Sequence, residues 1–176
     1  MNLLRTLSTA AVGLTAAGLA GCISAPDYPI TPQISVNGIT VIRRDGAIGF
    51  RDSVEVALNF QDGDGDLGLS DGDTTGVFAY KRGTNRFNNN YFIKPFYKNN
   101  AGVFVPLPSF FTYNGRFPRL TTDTRPGPLK GVLRHAIVFS LINLSTQPGT
   151  EIRFQVSIAD RALHESNVVT TESVRL

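Results

Sequence analysis

The stretch Asp52-Ser53-Val54-Glu55-Val56-Ala57-Leu58-Asn59-Phe60 alternates apolar and mostly polar side chains, and it runs directly into Gln61-Asp62-Gly63-Asp64-Gly65-Asp66-Leu67-Gly68-Leu69-Ser70-Asp71-Gly72-Asp73. In a strand, successive side chains leave opposite faces, so Val54, Val56, Leu58 and Phe60 share one apolar face and the other face meets water. Ile152, Phe154, Val156 and Ile158 repeat the pattern against Glu151, Arg153, Gln155 and Ser157. Working outward, runs bounded by Gly, Pro, Asn and Asp predict further strands over residues 34–36, 39–43, 77–81, 91–97, 103–105, 134–142 and 168–176. Residues 82–90 and 118–131 read as loops. No long stripe of helical period and no internal repeat competes with this reading. The expected fold class is all-β, a sandwich formed by residues 33–176.

The run after Phe60 is the sharpest chemical signal. From Asp62 to Asp73 it holds five carboxylates and no base. Aspartates at alternate positions with Gly between them let a short backbone curl until several oxygens converge, which is what a hard cation needs. Ca²⁺ takes about 6–8 oxygens and tolerates irregular cages, and without a cation the like charges repel across a tight turn. The segment resembles the first half of an EF-hand loop and the Asp-rich calcium loops of exported repeat proteins. It departs from the EF-hand pattern in having Leu67 where that loop has Gly and Asp73 where it ends in Glu, and strands rather than helices are expected beside it. Asp62, Asp64 and Asp66 are the candidate ligands of a structural Ca²⁺, with Asp71 or Asp73 and a backbone carbonyl near Gly68 behind them. Zn²⁺, which prefers Cys and His, fits this set poorly. The alternative is a solvated acidic turn, since Asp and Gly are the ordinary residues of tight turns.

The order of strands and loops resembles an immunoglobulin-like domain in pattern, without the Cys and Trp marks of antibody domains. In that resemblance the strand ending at Phe60 is the second, residues 151–160 form the penultimate one and residues 168–176 the last. The loops that follow the second and penultimate strands then lie at one end of the sandwich. That implies Asp160 as a distal ligand tying the two sheets together; otherwise it is a turn or cap residue paired with Arg161 or backbone amides.

The beginning of the chain reads differently. Residues 1–21 carry Arg5, an apolar stretch over residues 7–19 and small residues before Cys22, the pattern of an export signal. Leu19-Ala20-Gly21-Cys22 resembles the lipobox of bacterial lipoproteins, which implies cleavage before Cys22 and attachment of lipid to its thiol. A lone Cys, unable to form an internal disulfide, is then an anchor to the membrane. Ile23 in place of Asp favours the outer membrane of the cell envelope over the inner. Pro26, Pro29 and Pro32 predict an extended tether over residues 22–32. Losing Arg5 lowers the formal net charge from +3 to +2, too little to argue for nucleic acid.

The 176 residues are 41% hydrophobic and 18% charged, so a packed core is expected and a disordered chain is excluded. Of the 17 aromatic residues, 12 lie between Phe78 and Phe117 among many Asn. Tyr91, Tyr97, Phe110, Phe111 and Tyr113 are candidates for a face that binds a glycan or a protein partner; the same alternation also suits the packing of a sheet. Motifs for nucleophilic, zinc-dependent or phosphate-binding catalysis are absent from the sequence. His135 lies in an apolar run, and Asp160, His164 and Ser166 name triad residue types within one short loop. The expectation is a lipid-anchored envelope protein with a calcium-stabilised sandwich acting as a binding or structural module. A glycan-capturing accessory subunit of an uptake complex and a small carboxylate-dependent hydrolase are the other readings.

Overall fold

A computed structural model describes residues 26–44, 51–80, 85–109, 112–140 and 148–176. The export segment, Cys22, the start of the tether, Phe110 and Phe111 lie outside the described residues, as do the ends of the strands predicted over 77–81 and 134–142. Among the described residues, eight strands, all paired antiparallel, make two sheets. The first sheet has β1 (Gln33–Arg44), β2 (Arg51–Asp62) and β5 (Leu129–Ser140) in the order β1-β2-β5. The second has β4 (Phe104–Pro106), β3 (Tyr91–Lys98) and β6 (Glu151–Ile158), with the short β7 (Val169–Thr170) and β8 (Val174–Arg175) both on the far edge of β6.

Register explains the core. Residues directly opposite in an antiparallel pair share a face, and Ile34, Val36, Ile39 and Val41 of β1 stand opposite Phe60, Leu58, Val56 and Val54 of β2. The parity of the β1 positions flips between Val36 and Ile39, and a bulge between Val36 and Gly38 absorbs the extra residue so that both halves face inward. The two strands predicted over 34–36 and 39–43 are therefore one strand. On the facing sheet, Tyr91, Ile93 and Tyr97 pair with Ile158, Val156 and Ile152. These side chains pack with Leu133, Ile137 and Phe139 into one cluster between the sheets, with Val36, Ile39, Val41 and Tyr97 partly buried at its margin.

Three expectations need correction. Of the strand predicted over 77–81, the described residues 77–80 do not form one. Gly76–Phe78 is a single 3₁₀ turn, and Val77 and Tyr80 are 51% and 76% exposed, so no sheet face was available to bury them. Residues 168–176 form two short pieces rather than one strand, because Thr171 turns inward between them: its hydroxyl accepts from the Phe154 amide at 3.0 Å and its own amide donates to the Phe154 carbonyl at 2.9 Å. The loop predicted over 118–131 ends early, at Leu129, where β5 begins.

Candidate metal centre

The even positions of β2 face the core, and Asp62 is the next even position after Phe60. Its carboxylate therefore continues the inward row of Val54, Val56, Leu58 and Phe60 and is fully buried. Beyond it the chain is pulled down by two apolar pegs, Leu67 and Leu69, both buried, and the Leu69 amide donates to the Phe117 carbonyl at 3.0 Å. Between Asp62 and Leu67 the backbone must curl tightly. Gly63 permits this on one side: its amide donates to the Pro29 carbonyl at 2.8 Å, and a Cβ there would collide with the Tyr28 carbonyl oxygen. Gly65 has φ +70°, a left-handed conformation that side-chain-bearing residues resist. The Asp64 carbonyl accepts from the Gly127 amide at 3.1 Å, which fixes the far wall of the turn.

The result brings one oxygen each from Asp62, Asp64 and Asp66 within 4.8 Å of one another. Both oxygens of Asp62 and one each of Asp64 and Asp66 are buried without a hydrogen-bond partner among the described residues. Burial raises the Asp62 carboxyl to about 7, helped by the charges of Asp64, Asp66 and Asp160. The Gly65 amide opposes this only weakly and lacks hydrogen-bond geometry. Asp66 is also raised, first by burial and then by Asp160 and Asp64, while the Arg161 charge pulls it down. An isolated buried carboxylate is strongly disfavoured unless paired or coordinated. A divalent ion among these oxygens would remove that penalty at all three groups together. The donors are oxygen only, which suits Ca²⁺ rather than Zn²⁺.

Asp160 lies at the same end of the molecule. Leu67 and Asp160 form an isolated antiparallel bridge, so the loop after β2 and the end of β6 meet there. The Asp160 side chain is buried and already engaged, its Oδ1 accepting from the His164 amide and its Oδ2 facing His164 Nδ1, each at 2.8 Å. Its partner is thus His164 rather than Arg161. Burial raises Asp160 although the His164 bonds pull it down, and the bond to Asp160 in turn raises His164. Asp160 flanks the three aspartates without joining their tight group.

Asp71 and Asp73 are not brought to the site. Asp71 is exposed in a turn, and Asp73 Oδ2 accepts from the amide and hydroxyl of Ser70 at 2.7 and 2.9 Å and pairs with Arg119 at 3.2 Å. Those donors hold Asp73 below the usual carboxylate range, the Ser70 amide first. The Leu67 carbonyl, next to Gly68, accepts from the Leu120 amide at 3.4 Å.

The aromatic candidates also divide. Tyr91 is fully buried with its ring 4.4 Å from that of His135, and burial pushes its hydroxyl well above the usual tyrosine range. It is a core residue, and so it cannot stack on a glycan. Tyr97 and Tyr113 are half-buried against the core, Tyr113 with its ring 5.3 Å from Phe139. Burial lowers His135, which faces inward beside Tyr91. The Ser166 hydroxyl accepts from the Ile158 amide and donates to the Asn167 carbonyl, at 3.0 and 2.9 Å, so it is not presented to His164 as a nucleophile. The convergence of Asp62, Asp64 and Asp66 within 4.8 Å is tighter than the ~5–9.5 Å separation of glycosidase carboxylate pairs.

Three residues of the site escaped the sequence reading as parts of it. Tyr28 and Pro29, expected as free tether, wall the acidic turn. Arg161 lines an open basin beside Asp64 and Asp66; its position next to Asp160 was the only available signal.

No protein-family model and no curated protein matches the chain. A solved structure, the X-ray structure of Northeast Structural Genomics Consortium target SoR45, is similar at 8% identity and a TM-score of 0.32, over 83% of this chain and 86% of that one. At those values the likeness assigns neither fold family nor function.

Proposed function

We propose that this chain is an envelope lipoprotein whose sandwich, of immunoglobulin-like topology, is a binding or structural module clamped at one end by Ca²⁺. The observation that carries the metal reading is Asp62: a fully buried carboxylate with both oxygens unpartnered, beside two further aspartates that also hold unpartnered buried oxygens. The topology reading draws support from strand order. The orders β1-β2-β5 and β4-β3-β6-β7, with β8 also paired to β6, are compatible with strands A-B-E facing C′-C-F-G of immunoglobulin-like sandwiches. Calcium in this reading offsets carboxylate repulsion and fixes the turn; it takes no part in chemistry. The anchor is lipid on Cys22 at the outer membrane, and it rests on the sequence motif.

Thermal or denaturant unfolding in excess Ca²⁺ and in chelator tests the metal. A ligand bound only by the native state adds RT ln(1 + [L]/Kd). For Kd in the 10⁻⁴–10⁻³ M range of extracellular modules, about 10 mM Ca²⁺ adds roughly 1.4–2.7 kcal/mol. Asp62→Asn is expected to lose that increment, and an unfolding curve indifferent to millimolar calcium in the unsubstituted protein would remove the metal claim. For the anchor, a bacterial host fed a clickable palmitate should label the protein and not Cys22→Ala; equal labelling of both would discard the lipid.

A further inference from the structure

The basin beside the three aspartates is lined by both signs of charge. Asp64, Asp66 and Asp123 line it together with Arg119, Arg125, Arg161 and a run of threonines. Arg119 is occupied by Asp73 at 3.2 Å and Arg125 by Asp123 at 2.9 Å. Arg161 makes neither a hydrogen bond nor an ion pair through its guanidinium among the described residues. A buried or half-buried guanidinium presents a planar fork of donors that matches an oxyanion. Leu67 and Pro126 are the basin's apolar side chains, so a polar occupant fits it better than an apolar one.

The cation site explains why such an occupant belongs here. Three aspartates cannot fill the 6–8 oxygen shell of about 2.3–2.6 Å that Ca²⁺ takes. Asp64 and Asp66 line the basin, so coordination positions left open on their side face into it. An oxygen anion entering from the basin would complete the shell and share the basin with Arg161. Thr121, Thr122 and Thr124 also line the basin, and their hydroxyls both donate and accept and so suit the hydroxyls of a sugar, that of Thr121 already accepting from the Asp123 amide at 3.0 Å.

We propose that this basin binds an acidic sugar, whose carboxylate or phosphate oxygens bridge the bound cation and Arg161 while its hydroxyls meet Thr121, Thr122 and Thr124. The proposal rests on the calcium reading above and gives that site a ligand class. It differs from the aromatic-face idea in location and in chemistry, since charge and metal coordination replace stacking.

The test is saturation-transfer NMR on the full chain in detergent, with galacturonate, galactose 6-phosphate and galactose as separate probes, each in excess Ca²⁺ and after chelation. A calcium-dependent signal from galacturonate, from the phosphate ester or from both supports the proposal and identifies the oxyanion, with galactose silent. Arg161→Met should weaken that binding about tenfold or more, and Arg161→Lys, which keeps the charge but not the fork, should retain part of it. Both variants should keep the calcium-dependent rise in melting temperature, which shows that they fold and hold the cation. If calcium raises the melting temperature but neither acidic sugar gives a calcium-dependent signal, or galactose binds equally well, the acidic-sugar proposal falls and the cation site stands. If calcium leaves the melting temperature unchanged, both fall.

Discussion

Two halves of one acidic run meet opposite fates. Asp62, Asp64 and Asp66 each hold buried oxygen with no hydrogen-bond partner among the described residues, Asp66 keeping one bond from the Ala162 amide on its other oxygen, whereas Asp73 collects Ser70 and Arg119 and lies below the usual carboxylate range. The residue types are the same, and the spacing of Asp and Gly is similar. What differs is the register. Asp62 inherits the inward row of β2 and Leu67 then drags the turn onto the core, while Asp73 lies past the second peg, Leu69, where Ser70, Arg116 and Arg119 can reach it. Acidic clusters thus separate into those that strand position forces into burial and those that neutralise themselves at the surface.

The largest effect that would break the comparison is on pH dependence. In chelator, burial and neighbouring charge raise the folded Asp62 carboxyl to about 7 from an ordinary value of 3.8. The folded state then holds a proton that the unfolded chain has released, so stability falls as pH rises from about 4 to 7. At about 1.4 kcal/mol per pH unit the ceiling is ~4 kcal/mol. In Ca²⁺ the sign reverses, because the ion holds the carboxylates charged in the folded state and protonation then opposes folding. Urea unfolding at several pH values, with chelator and with calcium, reads both slopes. Asp62→Asn should flatten the chelator slope, and a slope that persists in that variant would move its origin to Asp66 or Asp160.

How much of this was legible in the sequence depends on whether the deciding contact was local. The alternation of residues 54–60 and 152–158 found β2 and β6, the centres of the two sheets, because period two is a property of the strand itself. β1 was read as two strands, since a bulge reverses parity and looks like an end. The two faces of β3 were also readable as Tyr91, Ile93, Pro95 and Tyr97 against Phe92, Lys94 and Phe96. Which face was inner was not, because that depends on the facing sheet. Asp62, Asp64 and Asp66 could be chosen by spacing, and the parity of Asp62 with Phe60 was a signal of its burial. The removal of Asp73 from the group rests first on Ser70, three residues back, and then on Arg119, 46 residues away, and no local pattern announces the second partner.

A middle-sized effect sharpens the role of the turn itself. Gly65 has φ +70° and a Cβ there would run into the Gly127 carbonyl oxygen, a backbone atom that cannot swing aside. Gly65→Ala should destabilise by about 1–3 kcal/mol, from the left-handed conformation and the collision together. If the turn exists to hold a cation, the loss should be greater in Ca²⁺ than in chelator, since displaced ligand oxygens also weaken binding. Equal losses in the two conditions, measured by the same unfolding curves, would make the turn a packing device and separate it from the metal.

The smallest effect is expected at Asp73, and its value lies in what it leaves unchanged. Removing the carboxylate with Asp73→Ala deletes the acceptor of the Ser70 amide and hydroxyl and the partner of Arg119. Those groups are partly exposed and can turn to water, so the loss should be about 1 kcal/mol. The calcium-dependent increment in stability should stay as in the unsubstituted protein, because this side chain has its own donors and is absent from the converging group. A fall in that increment on Asp73→Ala would join the two halves of the run into a single site and make the present arrangement of Asp73 a cation-free resting state.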